Sequence, residues 1–157
     1  MLHRPVKWLG RTLAGVVAFY LAIAVFERLA PEPSVRAWQR FANPNMLALA
    51  GVLPGWAVIE TTGRTSGLPR SSPVGGRLKR STFWLVCAER HQAQYVKNIE
   101  ANPRVRVRVH GRWRPGTAQV LDDDNTVRRM LRLNPLNSLF ITIAGRHPGT
   151  LRIDLDR

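Results

Sequence analysis

The residues best equipped for chemistry form one stretch, Thr61-Thr62-Gly63-Arg64-Thr65-Ser66-Gly67-Leu68-Pro69-Arg70-Ser71-Ser72-Pro73. Gly63 and Gly67 give the backbone freedom to turn successive N–H groups toward one point. Thr65 and Ser66 add hydroxyl donors, and Arg64 and Arg70 add guanidinium forks matched to phosphate or carboxylate oxygens. The combination suits an anionic ligand. It is not a P-loop, because no Lys-Ser/Thr pair follows the second glycine. Spacing alone leaves a plain polar hairpin turn as an equal reading. Further on, Gly75-Gly76 marks a strand bulge or a place where another group, such as a flat ring, meets the backbone. His91 and Tyr95 stand four apart with Asn98 three beyond, so they share a helical face and edge a pocket. The alternative puts Tyr95 in the core and His91 at the helix cap.

Other chemistries are poorly supported. His3, His91, His110 and His147 have no metal-ligand spacing. Cys87, the one cysteine, lies in an apolar run and reads as a buried inert thiol. No nucleophile elbow or carboxylate pair invites a hydrolase. The formal charge of +14 calls for an acidic partner, an anionic surface or a coding bias toward arginine. The Arg104/Arg106/Arg108 stripe offers phosphate contact, but no aromatic residues interleave it for base stacking. A nucleic-acid partner is therefore the lesser reading; a solvated face that blunts a strand edge is the better one.

These residues need a scaffold of short strands. From Trp56 the pattern changes from helical to extended, with strands expected at Trp56–Thr62, Arg70–Leu78 and Thr82–Ala88, followed by a helix from about His91 to Ala101. Arg104–Val109 is a strict period-two run, and His110-Gly111 turns it into a partner strand, Arg112–Leu121. Asp122–Asp124 cap a helix through Leu133, Asn134-Pro135 begin another, and Thr150–Leu155 is a last strand. Five or six strands with a helix between the third and fourth predict a small, mostly antiparallel barrel. The fold class is α+β, mainly β.

Upstream, Thr12–Phe26 carries no charge and follows Arg4, Lys7 and Arg11. As a helix it spans roughly 22 Å at about 1.5 Å per residue, short of the ~30 Å hydrocarbon core. Snorkelling by Arg11 and Arg28, with Trp8 at the interface, extends its reach. A secretory signal cleaved after Ala22-Ile23-Ala24 and a buried helix are the rivals. The expected division is a membrane-associating segment at 1–30, a lead-in at 31–55 and the barrel at 56–157. Within the lead-in, Pro31-Glu32-Pro33 forms a linker and Ser34 caps a helix to Ala42. Asn43-Pro44 starts a second helical piece that Gly51 ends.

Three ordered stretches carry a resemblance. Thr62-Gly63-Arg64-Thr65-Ser66-Gly67-x-Pro69-Arg70, then Asn98-Ile99-x-Ala101-Asn102-Pro103-x-Val105, then Ala118 leading into Val120-Leu121, resemble the deazaflavin-dependent nitroreductase family. The likeness covers roughly Asn43 to Leu121 and, more weakly, the C-terminal strand. It implies a split β-barrel related to the flavin-mononucleotide-binding barrels, with coenzyme F420 as cofactor and FMN as the alternative. It also implies that Arg64, Thr65, Ser66, Gly67 and Arg70 hold the cofactor's phosphate and acidic tail. Ser72, Pro73, Val74 and Gly75 would run along the ring, and Cys87, Ala88, Glu89, Tyr95 and Asn98 would complete the pocket. Thr65 stands where the family is usually basic, and Tyr95 where tryptophan is frequent. Glu89-Arg90-His91-Gln92 replaces a glycine-rich turn.

The expected protein is a membrane-associated oxidoreductase, on the cytoplasmic face. It passes hydride from reduced deazaflavin to an electron-poor small molecule such as a quinone or nitro compound, and a homodimer is admissible. Tyr95 is the leading proton donor, with solvent the other. A non-catalytic carrier of deazaflavin or another anion, and a basic nucleic-acid-binding barrel, are the rivals.

Overall fold

The computed structural model describes residues 4–133 and 135–156. In chain order the elements are α1 (Arg4–Leu29), α2 (Glu32–Ala50), β1 (Trp56–Thr62), β2 (Pro69–Lys79), β3 (Thr82–Cys87) and α3 (Gln94–Ala101). β4 (Arg104–Val109), β5 (Arg112–Leu121), α4 (Thr126–Leu133), α5 (Pro135–Ala144) and β6 (Gly149–Leu155) follow. The strands close into an antiparallel barrel ordered β1-β2-β3-β6-β5-β4.

Period-two patterning builds it. Val105, Val107 and Val109 point into a core with Ala57, Ile59, Phe83, Leu85, Leu151 and Ile153, and α3 adds Val96 and Ile99. The register Ile59↔Ser72 and Thr61↔Arg70 sets the Gly63–Leu68 turn at one end of the β1–β2 hairpin. His110 (φ 51°) and Gly111 (φ 76°) make the tight β4–β5 turn that positive φ angles permit.

Closure corrects the edge-strand reading of the arginine stripe, since β4 has β1 on one side and β5 on the other. The three arginines are occupied within the protein. Arg104 pairs with Asp156 at 2.8 Å, and Arg106 pairs with Glu60 at 3.1 Å while lying 5.0 Å from the Trp113 ring centre. Arg108 donates to the Leu47 carbonyl at 2.5 Å, which clamps α2 to the barrel. A side chain at Gly51 would collide with that guanidinium. The stripe thus has partners within the protein, with Arg104 and Arg106 still more than half exposed.

The lead-in also differs. Pro31-Glu32-Pro33 is not a linker: α1 ends at Leu29, α2 begins at Glu32, and Pro33 occupies its first turn. Ser34 is therefore inside α2 and caps nothing. Nor does Asn43-Pro44 restart the helix, which runs through Pro44. The Asn45 side chain donates to the Phe41 carbonyl at 3.0 Å in the turn that the proline disturbs. Downstream, α3 starts at Gln94, so His91 lies outside it and neither caps it nor shares a helical face with Tyr95. α4 is capped by Asn125, whose Oδ1 accepts from the Arg128 N–H at 2.9 Å, while Asp124 pairs with Arg129. The Asn134 cap and the Trp8 side chain lie outside the described residues.

α1 rests on the folded domain through its C-terminal half. Tyr20 meets Phe140 of α5 and Trp56 of β1 at ring-centre distances of 5.2 and 6.4 Å, and Ala24 is fully buried. Arg28 donates to the Gly145 carbonyl at 3.3 Å, and Arg146 returns a bond to the Arg28 carbonyl at 3.0 Å.

Candidate functional site

The β1–β2 turn is held by its own backbone. Gly63 N–H donates to Leu68 O at 2.9 Å and Gly67 N–H to Gly63 O at 2.7 Å, with Gly67 at φ +66°. A Cβ at Gly63 would lie 2.7 Å from Ser66 Oγ, so a side chain there would displace that hydroxyl. This folding leaves the N–H groups of Thr65 and Ser66 without a protein partner among the described residues. Two adjacent free donors in a turn attract an anion.

Helix α3 braces the turn from below. Asn98, only 4% exposed, accepts from both the Arg64 N–H and Arg64 Nη1, each at 3.2 Å. Its Nδ2 donates to Thr61 Oγ1 at 3.0 Å, which fixes the amide orientation. Gln94, one turn earlier, accepts a second bond from Arg64 Nη1 at 3.1 Å. The guanidinium is thus aimed by two amides, while Arg70 has no ion pair among the described residues.

Between turn and helix lies a cavity of about 410 Å³, lined by Gly63–Ser66, Arg70–Ser72, Gln94, Tyr95 and Asn98. It gathers Arg64, Thr65, Ser66, Arg70, Ser72, Tyr95 and Asn98 from the expected set. Ser71 and Gln94 were missed; the i, i+4 pairing of Gln94 with Asn98 was the available signal for the latter. Tyr95 bonds through its hydroxyl to the Cys87 thiol, and burial, then that neighbour, holds its pKa well above the ordinary value. Burial likewise pushes the Cys87 thiol up, and Sγ donates to Gly149 O at 3.4 Å.

Other expected residues lie elsewhere. Gly67 sits in the turn, outside the cavity lining. Pro73 is farther along β2, and Val74 is buried in the core. The space at Gly75 is filled by the Asn137 amide, and that at Gly76 by the Phe83 ring and the Trp84 carbonyl. The group that meets those glycines is therefore the protein's own. Cys87 is buried, and Ala88 packs on the Val86, Met130 and Ile141 cluster. Glu89 Oε1 accepts from the Arg146 N–H at 2.7 Å, away from the cavity.

The family described as F420H(2)-dependent quinone reductase matches residues 34–146, a span that includes the whole cavity lining. The chain belongs to this family. It is an F420-dependent oxidoreductase, and coenzyme F420 is its cofactor. No curated protein matches the chain. Among solved structures, one described as a domain-swapped dimer is 20% identical with a TM-score of 0.52, over 79% of this chain and 99% of that one. The heme storage protein HutZ of Vibrio cholerae is 13% identical with a TM-score of 0.51, over 83% and 92%. A FAD-binding protein of Mesorhizobium loti is 16% identical with a TM-score of 0.50, over 70% and 85%. These likenesses are of fold, the split β-barrel.

Proposed function

We propose that the cavity between the Gly63–Ser72 segment and α3 holds the anionic part of coenzyme F420, and that the reaction reduces a quinone. The supporting observation is one arrangement: Arg64 aimed by Asn98 and Gln94, beside an unpaired Arg70 and two free N–H groups. Those donors fit a phosphate and carboxylates, which need several charge-assisted bonds without competing protein anions. Reduced F420, when bound, supplies the hydride. The chain's residues bind and orient it, Tyr95 walls the cavity, and the Tyr95 hydroxyl stays protonated on Cys87 while solvent balances protons.

A quinone is apolar and partitions into lipid, so a membrane-associated enzyme at the cytoplasmic face is part of the same reading. The apolar stretch Gly10–Leu29 supports it by length and composition. A homodimer belongs to the same reading; sedimentation of the purified protein measures it.

The test is titration of detergent-solubilised full-length protein with F420, followed by turnover of reduced F420 with a quinone and with a nitroaromatic. Arg64→Ala and Arg70→Ala each remove charge-assisted bonds worth about 1.5–3 kcal/mol. Each should weaken binding roughly ten- to a hundredfold. Unchanged affinity in the double variant would misplace the phosphate site. Faster turnover of the nitroaromatic would overturn the quinone assignment.

A further inference from the structure

We propose that α1 lies in the plane of an anionic lipid surface as a one-sided anchor and does not cross the bilayer. This rests on the membrane reading above and adds its topology.

Two opposite stripes of the helix carry the inference. Tyr20 and Ala24 face the domain, packed on Phe140 and Trp56. At 3.6 residues per turn, Phe19, Ala22, Phe26 and Leu29 fall on the far side. The large ones are exposed accordingly, Phe19 at 64%, Phe26 at 41% and Leu29 at 76%. A spanning helix has no need of one face committed to a water-soluble barrel; an interfacial helix does.

Length gives the same answer. The apolar stretch runs from Gly10 to Leu29. From Tyr20 to Arg28 it is pinned to the domain, at the Tyr20 rings and by the reciprocal bonds of Arg28 and Arg146. The unpinned part, Gly10–Phe19, is roughly 15 Å long at about 1.5 Å per residue, half of a ~30 Å hydrocarbon core. Drawing the pinned half into lipid would pull α5 and the start of β1 with it. Lying flat, the helix sinks its phenylalanine stripe while Arg11 and Arg28, both exposed, remain at headgroup depth. The charge of +14 selects an anionic headgroup.

Side-specific labelling tests the topology. Cys87 is buried and silent to a membrane-impermeant maleimide. Gly10→Cys, at a position with open space around it, and Arg112→Cys, on the exposed β4–β5 hairpin, report the two ends. In inverted membrane vesicles from the expressing cells, both should label fully before detergent is added. Labelling of Gly10→Cys only after detergent, with Arg112→Cys labelled before, would overturn the inference and leave the membrane reading standing. Flotation of purified protein with phosphatidylglycerol-containing and pure phosphatidylcholine vesicles tests the rest. Preference for the anionic vesicles, at least tenfold reduced in Phe19→Asp/Phe26→Asp with an unchanged melting temperature, is expected. Equal binding to both vesicles, or full binding by that variant, contradicts the proposed surface. Flotation with neither vesicle defeats the membrane reading itself.

Discussion

Asn98 shows how one side chain organises a site that it need not touch chemically. Its oxygen holds the Arg64 backbone and guanidinium, and its nitrogen is spent on Thr61. Asn98→Ala should therefore weaken F420 binding about tenfold. In an Arg64→Ala background the added loss should shrink several-fold, because the braced group is gone; a double-mutant cycle by titration measures this. Full additivity would show that Asn98 acts independently. The Asn98–Val105 pattern was visible in the sequence, but its task was not: its partner is 34 residues away, and spacing along one helix does not encode that. Tyr95 makes the second residue-scale case. Its hydroxyl faces Cys87 and its pKa is raised, so it is a poor proton donor. Tyr95→Phe should keep turnover within about twofold and leave the pH profile in place, as stopped-flow oxidation of reduced F420 can show. A lost basic limb would restore Tyr95 as the acid.

At the element scale, the strands were the legible part and the helix ends the illegible one. Alternation such as Arg104–Val109 has one physical outcome in a half-buried sheet. Cap signals are weaker: Asn43-Pro44 has the residues of a helix start, yet α2 passes through it because packing on β1 and β2 outweighs one lost backbone bond. Asp122–Asp124 offered three caps, and Asn125 took the place. Asp124 instead bonds Arg129, which also lies 3.9 Å from the Trp84 ring centre and so ties α4 to β3. That pairing, foremost the hydrogen bond from Arg129, holds the Asp124 carboxyl below its usual range. Its stabilising contribution is then complete above the unfolded pKa of about 3.9 and is lost as pH falls through the lowered folded value. Asp124→Asn should melt below the parent protein at pH 7, with the gap closing as pH falls below the usual aspartate range; a gap constant with pH would contradict this.

At the scale of the whole molecule, the charge of +14 on a 157-residue chain acts over distance as well as at contacts. An anionic cofactor should be steered in, with a field screened over about 10 Å at 0.1 M salt. Raising salt should slow F420 association more than it speeds dissociation, because Arg64 is held at short range by Asn98 and Gln94. Stopped-flow binding at several ionic strengths checks the split. Barrel closure itself was readable only as a class, since strand order depends on pairs such as β1 with β4 that no local pattern announces.

One pairing sets the order of assembly. β6 inserts between β3 and β5, although it emerges from the ribosome after every other strand. Until it does, β3 and β5 present bare rows of N–H and C=O groups, the templates on which nascent chains cross-pair. During synthesis, then, the barrel waits open on two seams while α1 and its phenylalanines are already exposed. A bilayer that captures α1 early would keep neighbouring half-made barrels apart until β6 closes each one.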